Sequence, residues 1–437
     1  MTSHIEPTAF QDNDNLDYGD FVCSSDEDEV EMEAEPRDRY IKNLYYPIRI
    51  GEVLVERYLI EHKLGWGGFS TVWLAHDSHE NKPVALKIMI PGAKGEREYH
   101  KQTEIIQKVN NISGLVIYQS MFYLTGHGGN KHMVLVFPVR GPSLYYCMRR
   151  GIWGPVARRV LAAKQLLISL KGLHDAGIIH RGRSTWAHRS RTLNRVPTRL
   201  TTSSSADLNQ GAVLYDMDPI ETLTTAEEYK FFGRPRKIAL DEVSWKPAEL
   251  VEPMTFPADR IGNKAYLCDF GMCINTGTKV ADKSQRPGMY CAPERFHDVD
   301  PSLASDMWSY MCIFASLYNG GDPFWGEGAL LMERVIGALG PFPAHWKGHH
   351  YLADVDMSGW YEPPNMDLWY DPETKVDPKK SLEEKIDRTR PEISEYERYH
   401  ALNVMYKGFR YLPEERITAA ELLEDESFNI IISLYGA

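Results

Sequence analysis

Leu64-Gly-Trp-Gly-Gly-Phe-Ser-Thr-Val-Trp73, followed by Val84-Ala-Leu-Lys87, is the stretch on which the fold turns. Gly65, Gly67 and Gly68 lack the Cβ that would keep a backbone at a distance, so their amides can approach an anion closely. The flanking runs are short, alternating and β-branched, as antiparallel strands require. Strand, glycine turn, strand and then a lysine strand is the order a phosphate-binding site needs. A lone Gly-x-Gly is more often a hairpin turn; the Val-Ala-Leu-Lys that follows at the right distance makes the pattern specific.

Lys87 inside an apolar strand is costly unless paired, so a carboxylate on the next helical stretch, residues 95–109, should meet it. Glu104 is expected in that role ahead of Glu96 and Glu98, from its distance along the chain. The expected nucleotide-contacting residues are Leu64, Gly65, Trp66, Gly67, Gly68, Phe69, Ser70, Thr71, Val72, Ala85, Lys87, Phe137 and Val139. Phe137 ends the run His-Met-Val-Leu-Val-Phe and could border an adenine, with Pro138 to Arg140 as a hinge; a plain core phenylalanine at a strand end is the alternative.

The run from Tyr46 to Trp73 resembles the opening of the SR-protein kinases, including the Lys-Leu-Gly-Trp-Gly and Phe-Ser-Thr-Val-Trp around the glycines. Those enzymes also carry serine where Ser70 stands. The likeness extends with gaps to about residue 425. It implies a two-lobed α+β protein-kinase fold: a small five-stranded antiparallel sheet lobe with one helix over 41–139, and a larger, mainly helical lobe over 140–425. ATP and Mg2+ are the implied cofactors.

Later motifs agree with that resemblance. Tyr266-Leu-Cys-Asp-Phe-Gly-Met272 is similar to the D-F-G motif, in which Asp269 would bind the metal. Met289-Tyr-Cys-Ala-Pro-Glu-Arg-Phe296 is similar to the A-P-E motif, with Glu294 expected to pair with Arg416. Asp306 would hold the catalytic loop.

That loop is interrupted. Protein kinases use H-R-D-x-x-x-x-N, whose Asp accepts the substrate hydroxyl's proton and whose Asn binds metal. Here Ile179-His180-Arg181 runs into Gly182, and Ala187 stands where Asn belongs, which literally read makes a pseudokinase. Downstream, Ala206-Asp-Leu-Asn-Gln-Gly-Ala-Val-Leu214 looks like the missing half. Gly182 to Ser205 holds five Arg, no Asp or Glu and no hydrophobic periodicity. It reads as an insertion, as from an untrimmed intron, that could loop out at about 0.6 kcal/mol per doubling of loop length. Asp207 is then the expected catalytic base, with a solvent-exposed loop aspartate as the alternative. Even so, Ala212 replaces the metal-binding Asn. A second insertion is expected at about 215–262, either a docking or regulatory segment or an ordered loop of no separate function.

Composition bounds the rest. Of the net charge of −12, residues 1–40 supply −11, from 13 Asp or Glu against two Arg. They read as a disordered acidic tail, in which Ser24 and Ser25 precede four acidic residues and suit an acid-directed kinase. The near-neutral remainder gives no support for polyanion binding. Six scattered cysteines, with no C-x-x-C pair, argue against a disulfide framework or structural zinc. No apolar run is long enough to span a bilayer and no signal peptide is visible, so a cytoplasmic or nuclear location is expected. A monomer acting on a protein substrate, Arg/Ser-rich by the family resemblance, is expected, with no direct nucleic-acid or membrane partner.

Overall fold

A computed structural model describes residues 18–181, 184–187, 202–205, 208–221, 223–240, 244–280, 288–297, 299–326, 328–347 and 371–437. They fold into two compact units. One comprises the described part of Met1–Thr103 with Val116–Pro142 and Asp216–Gly262; the other comprises Glu104–Leu115, Ser143–Tyr215 and Asn263–Ala437.

The first unit is organised by a six-stranded antiparallel sheet, in the order Val53–Leu54, Tyr58–Gly67, Ser70–Asp77, Lys82–Met89, Lys131–Pro138, Ser120–Thr125. Five strands were expected; the sixth is the two-residue Val53–Leu54, too short to carry a periodicity. Side chains alternate between faces along each strand. Trp73 and Ala75, Val84, Leu86 and Ile88, and Val134 and Val136 all enter one buried cluster with Ile48, Ile60 and Leu124. The opposite face therefore carries Val72, Ala85, Lys87, Leu135 and Phe137. Register brings these together: Val72 opposes Lys87, Lys87 opposes Leu135, and Ala85 opposes Phe137. The long helix Ala93–Lys108 follows the lysine strand.

Two expectations fail in this unit. From Tyr18 onward the acidic segment is not a disordered tail. Asp20–Phe21 pairs in parallel with Arg236–Ala239, and Glu27–Glu33 and Asp38–Ile41 are helical. Val30 and Ala34, one turn apart, are buried with Tyr40, Tyr45, Ile238, Leu240, Ala248 and Leu250. Composition alone could not find this, because half of that apolar cluster is supplied by a remote part of the chain. The second correction concerns the insertion at 215–262, assigned above to the larger lobe. It clusters with the sheet unit, where Ile220, Phe232 and Met254 surround Leu74, and Met254 N–H donates to Lys63 O at 2.7 Å.

The second unit is mainly helical. Leu303–Asn319, started by a capping box between Ser302 and Ser305, is buried almost throughout and packs against Val156–Asp175. Trp308 stacks on Phe324 and meets Phe409 edge-on, their centroids 6.0 and 5.0 Å away. Arg416 is fully buried and donates two hydrogen bonds of 2.8 Å to the Glu294 carboxylate, as expected. Its remaining donors reach the carbonyls of Ala304, Arg410 and Tyr411. Such saturation is what lets a buried ion pair persist. No described helix is long and apolar enough to cross a membrane.

Candidate active site

The glycine turn joins Tyr58–Gly67 to Ser70–Asp77, with Gly65 opposite Val72, Trp66 opposite Thr71 and Gly67 opposite Ser70. A Cβ built on Gly65 would meet nothing within 4 Å, so the space beside it suits the close approach of a ligand. Phe69 lies under the Lys94 ammonium, 3.3 Å from the ring centroid, a cation–π contact. Leu64 and Val139, expected to contact nucleotide, pack against the Leu74, Ile220, Phe232 and Met254 cluster. Thr71 and Ser70 are buried.

Lys87 Nζ donates to both oxygens of Glu98, at 2.7 and 2.8 Å. Glu98 is therefore the carboxylate expected at Glu104. Six residues separate the two, about 600° of rotation at 100° per residue, which puts them on different helix faces. Glu104 instead accepts from Lys108 one turn on, at 2.7 Å. Glu98 is further fixed by Gln102, whose Nε2 donates to it at 3.1 Å while its Oε1 accepts from Tyr118 N–H at 2.8 Å. Distance along the chain could not separate the candidate glutamates; helical phase, counted from a buried Gln102, would have.

In the second unit three stretches converge on Cys268, the residue before Asp269. Cys268 N–H donates to Ala212 O at 2.9 Å, and Cys268 O accepts from His180 Nε2 at 3.0 Å. A carbonyl can only accept, so Nε2 carries the proton. Burial holds the His180 imidazole below its usual pKa, against the pull of Asp306 and Asp269; it is a neutral structural donor. Asp306 accepts from the backbone amides of His180 and Arg181, at 2.6 and 3.1 Å, and so holds the start of the loop as expected.

Asp269 itself has φ +65° and ψ +65°, a left-handed conformation that few non-glycine residues adopt and that is concentrated at functional sites. Phe270 behind it is fully buried and meets His180 edge-on, at 5.4 Å.

His180 and Ala212 flank the interruption on either side, yet bond the two ends of one residue. Ser184–Ala187 and Thr202–Ser205 form an antiparallel ladder in which Ser184 opposes Ser205. Beyond it, Leu208 is fully buried and the Asn209 side chain accepts from Gly211 N–H at 2.9 Å. Gln210 donates to Asp322 at 2.9 Å. Asp207 and Gly182 lie outside the described residues.

The crystal structure of a kinase domain superposes with a TM-score of 0.56 at 20% identity, covering 88% of this chain and 99% of that one. The fold is a protein-kinase fold. Over 409 residues the chain is 25% identical to a serine/threonine protein kinase of Aspergillus fumigatus, covering 91% of this chain and 90% of that protein. The chain is similar to serine/threonine protein kinases. It is also 32% identical over 165 residues to the serine/threonine-protein kinase SRPK of Physarum polycephalum, which spans 35% of this kinase and 38% of that relative. No protein-family model matches.

In the sheet unit, Lys87 and the glycine turn offer positive and N–H donors of the kind that phosphate oxygens accept; in the helical unit, Asp269 offers one hard oxygen of the kind that Mg2+ takes. Ala212, where the family resemblance expects the second metal ligand, is buried and has no side-chain oxygen.

Proposed function

We propose that this kinase transfers the γ-phosphoryl group of Mg-ATP to serine or threonine in a protein substrate rich in Arg and Ser, with Asp207 as base. The observation that carries the reading is the closure of the catalytic loop across its insertion: His180 and Ala212 meet on Cys268, and Ser184 opposes Ser205. With that closure, residues after Ser205 re-enter the core at Leu208, directly beyond Asp207.

Mg-ATP would supply the transferable group, its charge partly neutralised by the cation. Lys87, oriented by Glu98, would hold phosphate oxygens, and amides of the glycine turn would take others. Val72, Ala85 and Phe137, on the Lys87 face of the sheet, would pack against the base. Asp269 would ligate the cation. Asp207 would accept the proton of the substrate hydroxyl as its oxygen bonds phosphorus. The Arg/Ser-rich substrate follows from the likeness to the SR-protein kinases.

Transfer of labelled γ-phosphate to an Arg/Ser-rich peptide tests this with the full chain, a chain lacking Gly182 to Ser205, and Asp207→Asn. Transfer by the full chain that Asp207→Asn abolishes is the expected result. Mg-ATP binding with no transfer in any form would instead establish a nucleotide-binding pseudokinase, the reading that Ala212 favours.

A further inference from the structure

Residues 33–45 touch the glycine turn in a way its own sequence does not foretell. Tyr45 Oη donates to the carbonyl of Gly67 at 2.6 Å, and Trp66 Nε1 donates to the carbonyl of Glu33 at 2.9 Å. One step away, Lys63 on the strand entering the turn is fully buried and ion-paired to Glu35, which also accepts from Tyr40. The Lys63 ammonium lies 4.6 Å from the Trp73 ring centroid. Tyr40 and Tyr45 meet edge-on at 5.7 Å.

A glycine pair is the least constrained dipeptide a chain can use. Its freedom helps a backbone approach phosphate and leaves the direction of its amide to be set by its contacts. The peptide unit is planar and trans, so the carbonyl of Gly67 and the N–H of Gly68 point in opposite directions and turn together. Fixing one aims the other. The Tyr45 hydroxyl therefore helps to set the plane of the Gly67–Gly68 peptide, together with the ladder that pairs Gly67 with Ser70, while the Trp66 indole ties the adjacent residue to the end of the helix Glu27–Glu33.

We propose that the N-terminal segment is an intramolecular brace, in which Tyr45 and Trp66 act as positioning residues that orient the Gly67–Gly68 peptide for nucleotide phosphate. The proposal rests on the nucleotide-binding reading above. Neither residue performs chemistry. Their effect falls on nucleotide affinity and KM for ATP. The brace is itself seated by Ile238, Leu240, Ala248 and Leu250 of the second insertion, through the cluster around Tyr40 and Tyr45. One role of that insertion is thereby to carry the brace.

The test uses the full chain with Tyr45→Phe, Trp66→Phe and the double substitution. Three quantities decide it: Mg-ATP dissociation constant by titration, amide hydrogen exchange across residues 66–70, and thermal midpoint. A neutral hydrogen bond is worth about 1 kcal/mol, a factor of about five. Each single variant should weaken Mg-ATP binding about fivefold and the double variant about 25-fold. Exchange at the turn should quicken while the midpoint moves little. A Tyr45→Phe, Trp66→Phe chain that stays folded and binds Mg-ATP as tightly as the parent overturns the brace. A parent chain that binds no Mg-ATP overturns the nucleotide reading, and turn exchange that is then equal in parent and variants overturns the brace as well. Should Trp66→Phe lower the midpoint sharply, Tyr45→Phe alone carries the comparison, since it removes one oxygen from a ring that keeps its packing.

Discussion

The glycine turn and the described residues on either side of the interrupted loop are held in opposite ways. The turn is contiguous in sequence, and its loose glycines are held from outside by Tyr45, Trp66 and the buried Lys63–Glu35 pair. The segment that resembles a catalytic loop is interrupted in sequence; His180 and Ala212, on either side, both bond Cys268, and Ser184–Ala187 pairs with Thr202–Ser205. Contiguity is thus a poor guide to which site survives. What matters is whether each end of a segment has a partner that fixes it.

The sharpest way to break this comparison is at the base. If the closed loop presents Asp207, then Asp207→Asn should lower phosphoryl transfer about 10²- to 10⁴-fold, the range of general-base catalysis, with Mg-ATP affinity unchanged. An equal rate in Asp207→Asn would show that the residues after the insertion are not the working half of the loop.

Next in size is the buried pair in the helical unit. Glu294→Gln removes the charge facing Arg416, which has no exposure to share its charge with water. Breaking such a pair typically costs about 3–5 kcal/mol, so a fall of that size in denaturant stability is expected. A loss below about 1 kcal/mol would mean that the three carbonyls around Arg416 suffice to hold it.

Glu98→Gln should then be set against Glu104→Gln. Glu98 receives both short bonds from Lys87, and a hydrogen bond to a charged group is worth about 1.5–3 kcal/mol. Transfer should fall about 10- to 100-fold, with Glu104→Gln within twofold of the parent. Equal effects from the two would contradict the pairing seen here.

Much of the architecture was legible because it depends on local pattern. The short alternating runs read as strands are strands of the sheet, and Val72, Ala85, Lys87 and Phe137 share one of its faces. The family resemblance anticipated Glu294 with Arg416 and Asp306 with the loop. The failures have a common physical origin: each concerns a partner distant in sequence or a phase within a helix. Glu98 and Glu104 differ only in helical phase. The acidic N-terminal segment looked unable to fold because its apolar residues are few, and it folds because Ile238 and Leu250 complete them. Val30 and Ala34, four apart amid acids, were the available signal. Lys63 was another, since a lysine flanked by His62 and Leu64 in a strand calls for an acid, and Glu35 waited in the segment taken as a tail.

The smallest expected effect tests how the second insertion is docked. Glu61, on the strand entering the glycine turn, has its carboxyl pushed up to about 8 by burial, with the Glu228 charge of the helix Thr225–Phe232 adding to it. Burial also raises Glu228, to about 7. A carboxyl with a raised folded-state pKa binds more protons folded than unfolded between its ordinary value near 4.5 and about 8, so stability falls as pH rises through that window. Glu61→Gln keeps the shape and removes the charge. It should leave the thermal midpoint nearly unchanged at pH 5 and raise it at pH 9, where the parent must hold a buried carboxylate. Equal shifts at both pH values would mean that the carboxylate is solvated, and that the insertion does not bury the strand as tightly as the apolar cluster around Leu74 implies.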